Sequence, residues 1–443
     1  MFDRFKLHIE TNLPFLIGKK LLIANSGGID SMVLTHLFSK MDVDLHVAHC
    51  NFQLRGKASD EDSEFVKEIT YLPSNQIYIN LFGTENYAKK HKLSIQLAAR
   101  ELRYQWFDEL LREKDLDYIL TAHHADDNLE TFFINFTRGS GLEGLIGIPQ
   151  QNGNIARPLL PFSREEISKY ASENQIEWRE DETNTSTKYL RNKVRHELVP
   201  LLKEINPSVL DSFSNTLEFL HESQSIVNDR IESISKSIVN RKVQHGEEII
   251  EIDITKLKEL SHPKAYLYQI LKQFNFTAWN DIHDLLDSQS GKQIFSKSHR
   301  LIKDREALLV SELQVDSQES IGAEIDKFSK GISSPINLKF DTQECENSAG
   351  TTEILVDKDL LKYPLIVRKW KNGDYFYPTG MQGKKKVSKY FKDEKFSLLD
   401  KENTWILTNA DDEVIWIINK RQDRRFAKTK NTKQTLKISC ETT

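Results

Sequence analysis

The chain has 443 residues, 38% of them hydrophobic and 29% charged, which predicts a folded protein of roughly three domains at about 150 residues each. Its cysteines, Cys50, Cys345 and Cys440, are far apart and form no CxxC pair, which argues against a disulfide framework and a structural zinc site. No apolar run reaches about 18 residues, which argues against a membrane span. Together these features predict a cytoplasmic protein. The 61 Lys and Arg residues against 66 Asp and Glu give a net charge of −5, which by itself argues against a nucleic-acid partner, but this charge is unevenly distributed.

Residues 1–140 alternate between strand-like and helix-like segments. The predicted strands are Leu21–Asn25, Asp44–Cys50, Gln76–Asn80 and Tyr118–Ala122, and the predicted helices are Asp30–Lys40, a segment near Asp60–Thr70, most of Glu85–Lys114, and Asp126–Phe136. This alternation predicts an α/β fold with a parallel, Rossmann-like sheet. If the first strand neighbours the fourth, with the second and third on the other side, the segments after strands one and four face one crevice.

The rest of the chain divides by composition. Residues 157–205 are helical and charged and end near Asn206-Pro207, which predicts a first domain over residues 1–207. Residues 208–330 predict a mostly helical or α+β middle domain. Residues 331–352 are interpreted as a linker, and residues 353–443 as a small, basic α+β domain.

A glycine-rich loop lies between the first strand and the helix after it, with the residues Ser26, Gly27, Gly28, Ile29, Asp30 and Ser31. Its glycines let the backbone approach an anion, and the helix start supplies unpaired N–H groups and a positive dipole end. Asp30 could hold Mg²⁺ on a pyrophosphate. A plain capped turn is the alternative, but the strand–loop–helix context favours phosphate binding. The chain has no GxxxxGK[ST] motif and is therefore not a Walker A protein.

A second polar cluster, Thr121–Thr131, follows the fourth strand and opens a helix. Asp127 and Glu130 are three residues apart and can share a helix face. The helix dipole explains one or two acidic residues there, but not two histidines as well. The cluster therefore indicates a site for a metal ion or a cationic substrate. On the preceding helix, Arg103 is either a solvated surface residue or a clamp on phosphate.

The C-terminal region is strongly basic. Residues 368–395 contain nine Lys and Arg against three Asp and Glu, and residues 420–437 contain eight against one. The residues expected to contact RNA phosphates here are Lys384, Lys385, Lys386, Lys389, Arg421, Arg424 and Arg425. The aromatic residues between them are expected to be core rather than platforms for stacked bases.

These motifs resemble one enzyme family. SGGIDS resembles the PP-motif of the N-type ATP pyrophosphatases, which cleave ATP between the α and β phosphates and adenylate a carbonyl oxygen. The order of motifs in tRNA(Ile)-lysidine synthetases is matched by HVAH, AARELRY, TAHHADDNLETFFINFTRGSGLEGLIGI and RPLLPFSREEISKYASENQIEWREDETNTSTKYLRNKVRHELVPLL. That family's last domain is similar to NGDYFYPTGMQGKKKVSKYFKDEK. The resemblance covers residues 20–205 and 365–425, and it departs at Asn25, where a small residue is more usual.

The resemblance implies an ATP-dependent ligase that joins free L-lysine to C2 of the wobble cytidine of a CAU-anticodon tRNA(Ile), through an adenylated cytidine. ATP and Mg²⁺ are the implied cofactors. It implies ATP binding by the glycine-rich loop and His123, and a metal on Asp30. It further implies catalysis by Asp30, Arg103, Asp127 and Glu130, with Asp127 and Glu130 on the lysine ammonium. Arg191 and Arg195 join the residues expected to bind tRNA.

Three alternatives stay open at this point. A tRNA 2-thiolating PP-loop enzyme would need reactive cysteines, and Cys50 has no evident partner in the sequence. An amidating ligase would need a glutaminase domain, which cannot be recognised here. A non-enzymatic RNA-binding protein would not be expected to retain an intact loop and acidic cluster. The oligomeric state is not fixed, and a homodimer is one arrangement that the sequence allows.

Overall fold

A computed structural model describes residues 1–69, 72–179, 190–244, 246–313, 322–342 and 351–441. The chain forms two compact units, Met1–Asn228 and Asp229–Thr443. No helix in the described ranges is both long and apolar enough to cross a membrane. The predicted domain boundaries at 207, 330 and 352 stay predictions, and residues 343–350 of the predicted linker, with Cys345, lie outside the described residues.

The first unit is built on a six-stranded sheet with the order β3-β2-β1-β4-β6-β5. Its strands are β1 (Lys20–Ala24), β2 (Asp44–Asn51), β3 (Ile77–Leu81), β4 (Tyr118–Leu120), β5 (Gln151–Asn152) and β6 (Ile155–Ala156). All neighbours are parallel except β5 and β6. Leu21 of β1 is in register with Leu45 on one side and Tyr118 on the other. The predicted strand order, with strand one between strands two and four, is therefore confirmed.

The helices of the chain up to residue 238 include several that pack on both faces of this sheet. They are α1 (Phe2–Asn12), α2 (Ile29–Ser39), α3 (Lys57–Ile69), α4 (Thr84–His91), α5 (Ile95–Lys114), α6 (Ala125–Thr137), α7 (Leu142–Leu145), α8 (Arg164–Glu173), α9 (Leu190–Lys193), α10 (Val199–Ile205) and α11 (Val209–Ile238). A π-helical turn, Val194–Leu198, joins α9 to α10. Leu21 and Ile23 of β1 pack into one core and Leu22 into the core on the other face. This two-sided burial explains the continuous apolar run of β1.

A separate apolar cluster holds the π-helical turn against α6. Leu129 of α6 packs with Val194, Val199, Phe213 and Leu217, and all five side chains are buried. Because Leu129 lies between Asp127 and Glu130 in the sequence, the same packing brings the turn close to those carboxylates.

The second unit begins with a five-stranded antiparallel sheet of order β7-β8-β11-β10-β9. Its strands are β7 (Val239–Gln244), β8 (Glu247–Asp253), β9 (Gln293–Phe295), β10 (His299–Asp304) and β11 (Ala307–Glu312), and its helices are α12 (Ile254–Lys258), α13 (Pro263–Leu271) and α14 (Trp279–Leu285). These helices and strands share one apolar core, in which Ile252, Leu257 and Leu271 are fully buried. This region therefore contains both helices and an antiparallel sheet, and its assignment as a separate middle domain stays a prediction.

The C-terminal part contains three further sheets, β12-β16-β19-β20-β21, β13-β14-β22-β15 and β17-β18. The strands are β12 (Ala323–Ile325), β13 (Gly331–Ile332), β14 (Asn337–Asp341), β15 (Glu353–Asp357), β16 (Leu365–Lys369), β17 (Tyr375–Phe376), β18 (Lys385–Lys386), β19 (Trp405–Thr408), β20 (Val414–Ile417), β21 (Arg421–Gln422) and β22 (Thr435–Glu441), with helices α15 (Val387–Asp393) and α16 (Leu398–Asn403).

Two details differ from the sequence interpretation of this region. Composition assigns residues 331–341 to a linker, but β14 pairs with β22 and buries Leu338 in the C-terminal core. Likewise β12, which composition assigns to the middle domain, pairs with β16. Both strands are short and surrounded by Ser, Gly and acidic residues, so their pairing depends on distant strands that local composition does not reveal.

Candidate active site

The glycine-rich loop connects the end of β1 to the first turn of α2. Gly27 has φ 82°, a left-handed conformation that favours glycine. Gly28 is the N-cap of α2 and, as a glycine, cannot cap it with a side chain. The first N–H groups of α2 therefore remain available to an anion. Ile29 is 5% exposed, so its side chain belongs to the core and only its backbone can contact a ligand.

Asn25, just before the loop, fixes the loop's shape. Its Oδ1 accepts hydrogen bonds from Gly27 N at 2.7 Å and Ser31 Oγ at 3.1 Å. Its Nδ2 donates to Thr35 Oγ1 at 2.9 Å. The Ser31 hydroxyl also accepts from Ser26 N at 3.1 Å. Ser31, which the sequence interpretation makes a phosphate ligand, is thus already part of the loop's internal network.

The acidic cluster lies at the start of α6, directly after β4. His124 is the N-cap, and its backbone N donates to Asp127 Oδ2 at 3.2 Å. Asp126 accepts from Arg164 N at 2.8 Å and pairs with Lys203 at 2.6 Å. Asp126 is therefore a positioning residue that connects α6 to α8 and α10.

The structure brings this cluster to the glycine-rich loop. Asp30 Oδ1 lies 3.8 Å from His124 Nε2, and Asp30 also forms an ion pair with Arg164. The carboxyl ends of β1 and β4 therefore open into one crevice, as the strand order requires.

Asp127 and Glu130, here called the acidic pair, are held by Arg191 and Arg195, here called the arginine pair. Arg195 Nε donates to Glu130 at 2.6 Å, and its Nη2 donates to Asp127 at 2.9 Å. Arg191 donates to the same carboxylates, to Glu130 at 3.0 Å and to Asp127 at 2.9 Å. The sequence interpretation separates these four residues into a lysine site and a tRNA site, whereas the structure joins them in one ion-pair cluster.

Neighbouring charges offset the effect of burial on the pKa values of Asp127 and Arg195. Burial alone would raise the pKa of Asp127, but its interactions with His124 and the arginine pair outweigh burial and hold the pKa below its usual range. Burial would similarly lower the pKa of Arg195, but the hydrogen bond and charge of Glu130 raise it. The acidic pair is thus a site already adapted to a cation.

His123 is a neutral side chain in this crevice. Burial lowers the pKa of His123 to about 4. Its Nδ1 shares a hydrogen bond of 2.9 Å with Thr121 Oγ1. At neutral pH the ring therefore contributes shape and hydrogen bonding rather than charge.

Arg103 is on α5, and its side chain contacts residues at the carboxyl end of β2. Its guanidinium carbon is 5.3 Å from the Phe52 ring centroid. It also hydrogen-bonds Cys50, which lies two residues before Phe52 in the chain. The contacts found for Arg103 in the described ranges are with these two residues and not with the acidic pair. Since β2 neighbours β1, the side chain of Arg103 contacts the strand next to the one that carries the loop.

Comparison with known proteins decides the family. Residues 5–202 match the PP-loop domain, and residues 244–313 match the TilS substrate binding domain. The tRNA(Ile)-lysidine synthase of Bacteroides thetaiotaomicron is 37% identical over 431 residues, which cover 97% of each chain. That of Parabacteroides distasonis is 35% identical over 446 residues, which cover 99% of each chain. The chain belongs to the tRNA(Ile)-lysidine synthase family. It is accordingly an enzyme, a ligase that forms a carbon–nitrogen bond and uses ATP.

The environment of Cys50 agrees with a lysidine synthase rather than a thiolating enzyme. Burial raises the pKa of Cys50 to about 12, and the nearby Arg103 only partly opposes this. A sulfur-transferring cysteine must be a thiolate near neutral pH. Cys440 belongs to the other unit, and Cys345 lies outside the described residues.

The basic C-terminal residues fall into two groups. A cavity of about 570 Å³ is lined by Tyr375, Lys384, Lys385, Lys386, Lys389 and Asp393. Lys384 lies over the Tyr375 ring, 5.2 Å from its centroid. Arg425, by contrast, is paired with Asp423, which is fully buried, and with Glu413. Its partners indicate a structural ion pair rather than an RNA contact.

Two further arginines of the basic region also make contacts within the protein. Arg421 donates to the Thr379 carbonyl at 2.9 Å, and Arg424 lies over the Tyr377 ring. Phe376, Tyr390 and Phe391 are buried in a common core. The expectation that the aromatic residues of this region are core is confirmed for these three and is wrong for Tyr375, which is 42% exposed and lines the cavity.

Proposed function

We propose that this protein joins L-lysine to C2 of the wobble cytidine of CAU-anticodon tRNA(Ile), converting ATP to AMP and pyrophosphate. The modified base would read AUA in place of AUG. One observation carries the proposal: the phosphate loop and a buried carboxylate pair open into the same crevice in a chain of this family.

The chemistry requires two steps because the C2 oxygen is a poor leaving group. That oxygen attacks the α-phosphorus of ATP, and pyrophosphate leaves. The lysine ε-amine, after losing a proton, attacks C2, and AMP departs with the original oxygen. Both steps need ATP, lysine and an extruded base in one site.

The loop residues support ATP binding. Ser26, Gly27, Gly28 and the first N–H groups of α2 would surround the phosphates, in a shape that Asn25 holds before ATP arrives. Preorganised donors of this kind cost no rearrangement when charge develops.

Asp30 fits a magnesium ligand. Its Oδ1 is buried and forms an ion pair with Arg164, so a metal ion would take the place of that guanidinium on the carboxylate. Magnesium commonly takes one or two protein carboxylates together with substrate phosphates and water. When bound, Mg²⁺ would neutralise charge on the departing pyrophosphate.

The acidic pair would hold the lysine ammonium. Glu130 is only 1% exposed, so a cation placed there is attracted in a weakly screened environment. One of the two carboxylates could also accept the ammonium proton before attack. Arg103 would stabilise charge at the reacting phosphate, and neutral His123 would line the nucleotide site.

The basic residues of the C-terminal part would bind the tRNA backbone. Lys384, Lys386 and Lys389 surround one cavity and can contact phosphates directly. Arg421 and Arg424 would add to this surface. The internal pairing of Arg425 favours a structural role for that residue instead.

The experiment that tests the function is tRNA-dependent incorporation of labelled lysine. Purified protein is incubated with ATP, Mg²⁺, labelled lysine and unmodified tRNA(Ile), and the RNA is digested to nucleosides. Label that comigrates with lysidine, and is absent with tRNA(Met), supports the proposal.

Asp30→Ala should abolish the label, while Asp115→Ala is a matched control because Asp115 is an exposed partner of Lys20. Full activity of Asp30→Ala would contradict the metal assignment. Folded protein that exchanges pyrophosphate with ATP but attaches no lysine would contradict the choice of nucleophile.

A further inference from the structure

The proposed lysine site is already filled by the protein's own cations. Each guanidinium of the arginine pair contacts both carboxylates of the acidic pair, at distances between 2.6 and 3.0 Å. The two carboxylates and the two guanidiniums balance in charge. An incoming lysine ammonium must therefore displace at least one guanidinium to reach Asp127 and Glu130.

The local fold allows the arginine pair to leave without unfolding. Arg191 and Arg195 are four residues apart, on either side of Val194, which anchors the π-helical turn in the apolar cluster with Leu129. The side chains of Arg191 and Arg195 are 44% and 35% exposed. Rotation of these side chains toward solvent can leave the anchored backbone in place. A π-helical turn at such a position is common at functional sites.

Displacing the guanidiniums costs free energy unless both the carboxylates and the guanidiniums form new ion pairs. Removing the guanidiniums alone would leave Glu130 as a buried, unpaired charge, which is strongly unfavourable. A lysine ammonium can replace them on the acidic pair. Phosphate groups can receive them, because guanidinium binds phosphate with two parallel hydrogen bonds.

We propose that the arginine pair occupies the lysine site in the free enzyme and moves onto tRNA phosphates when the RNA binds, so that lysine binds well only to the enzyme–tRNA complex. The inference rests on the proposed function, because it assumes that the acidic pair is the lysine site. It also joins the two roles that the sequence assigns to these four residues. Arg191 and Arg195 bind tRNA by vacating the carboxylates.

Thermodynamic linkage makes the consequence reciprocal. If tRNA raises lysine affinity by some factor, lysine raises tRNA affinity by the same factor. Couplings of this kind commonly amount to roughly 5- to 150-fold. The arrangement delays lysine binding until a substrate base is present to receive it.

The experiment measures lysine binding without chemistry. Labelled lysine is equilibrated by dialysis with the full-length protein in the absence of ATP, with and without unmodified tRNA(Ile). Wild-type protein should bind lysine about tenfold or more tightly when tRNA is present. The double variant Arg191→Gln/Arg195→Gln should bind lysine without RNA about as tightly as wild type does with it. Its own dependence on RNA should be largely lost.

Controls separate this result from a general loss of structure. Arg4→Gln removes another ion-paired arginine of the same unit, the partner of Glu166, and should leave the RNA dependence intact. Thermal unfolding of each protein is measured with lysine and with norleucine, which lacks the ε-amine. The double variant should be stabilised by lysine and not by norleucine. If the double variant does not fold, Arg195→Lys is measured in its place. Lysine keeps the charge but has fewer hydrogen-bond donors, so without RNA this variant should bind free lysine more tightly than wild type and less tightly than expected for the double variant.

Two results would overturn the inference. Equal lysine affinity of wild type with and without tRNA would show that the arginine pair does not gate the site. Weaker lysine binding in the folded double variant, or in Arg195→Lys, would show that the arginines are fixed counterions that shape it. The proposed function fails differently: Glu130→Gln protein that still binds lysine normally with tRNA would place the lysine site elsewhere.

Discussion

The side chain of Asn25 accepts a 2.7 Å hydrogen bond from the backbone N–H of Gly27. Asn25 is 2% exposed, and its amide also connects Ser31 and Thr35. One buried amide thus holds the phosphate loop in its turn. In the sequence this residue is only a departure from the usual small residue.

The first prediction concerns this amide. Asn25→Ala should raise the KM for ATP several-fold, because the loop loses the acceptor that orders it, while the KM for lysine stays nearly unchanged. Loss of the buried hydrogen bonds should also destabilise the fold by about 1–3 kcal/mol. Steady-state kinetics with each substrate varied in turn, together with chemical unfolding, measures both effects. An equal rise in both KM values would indicate general damage instead of a loop-specific role.

The second prediction compares the two loop glycines. Gly27→Ala places a side chain at φ 82° and should destabilise the fold by about 1–2 kcal/mol. Gly28→Ala is the matched control, since Gly28 has φ −79° and a new Cβ would approach only Ser26 Oγ, at 3.4 Å. Gly28→Ala should therefore unfold almost like wild type. Chemical unfolding of the two variants tests the difference, and equal stabilities would contradict the backbone argument.

Much of the first unit could be predicted from sequence because its signals are local. The apolar run at Leu21 and the glycines after it mark a strand–loop–helix unit, and the alternation of such units predicts a parallel sheet. The position of the acidic pair beside the loop followed from strand order alone. No such rule covers Asn25, whose role depends on the hydrogen bonds that its side chain makes with Gly27, Ser31 and Thr35 in the folded loop.

The arginine pair illustrates a harder limit. Arg191 and Arg195 are more than 60 residues from Asp127 and Glu130 in the chain, and basic residues in a charged segment are typical of a surface. Apolar packing of Val194 against Leu129 brings the two pairs together. The sequence shows that the two arginines are four residues apart, but this spacing does not indicate which carboxylates they contact. The same limit explains why composition places β14 in a linker.

The third prediction concerns the pH dependence set by His123. Its pKa is about 4 when folded and near 6.5 when unfolded, so between these values the unfolded state binds more protons. Stability should therefore fall as pH decreases from 6.5 toward 4, by up to about 3 kcal/mol from this residue. His123→Gln should fall less steeply over that range in chemical unfolding at several pH values. Parallel curves for the two proteins would contradict the assigned pKa.

The fourth prediction concerns Cys50. Because its thiol has a pKa of about 12, it should react only slowly with iodoacetamide at about pH 8. Cys50→Ala should retain lysine incorporation within about threefold, with a stability loss of about 1 kcal/mol from the small cavity. Alkylation followed by mass spectrometry and the incorporation assay measure these effects. A folded Cys50→Ala protein without activity would revive a chemical role for the thiol.

The fifth prediction separates RNA-binding charges from structural charges in the C-terminal part. Replacing Lys384, Lys386 and Lys389 together by Gln should weaken tRNA binding and leave stability nearly unchanged, because these lysines line an open cavity. The slope of log affinity against log salt should become shallower by roughly 0.7–0.9 for each phosphate that the variant no longer neutralises. Binding titrations at several salt concentrations measure this slope.

Arg425→Gln is the opposing case. Asp423, its partner, is 0% exposed and would lose its main cationic partner, so the variant should be less stable by about 2 kcal/mol. Where it remains folded, its salt slope should match that of wild type, since the guanidinium of Arg425 is already engaged by Asp423 and Glu413. A shallower slope with unchanged stability would instead return Arg425 to the RNA-binding surface. The two measurements together therefore distinguish a charge that binds phosphate from one that holds the domain together.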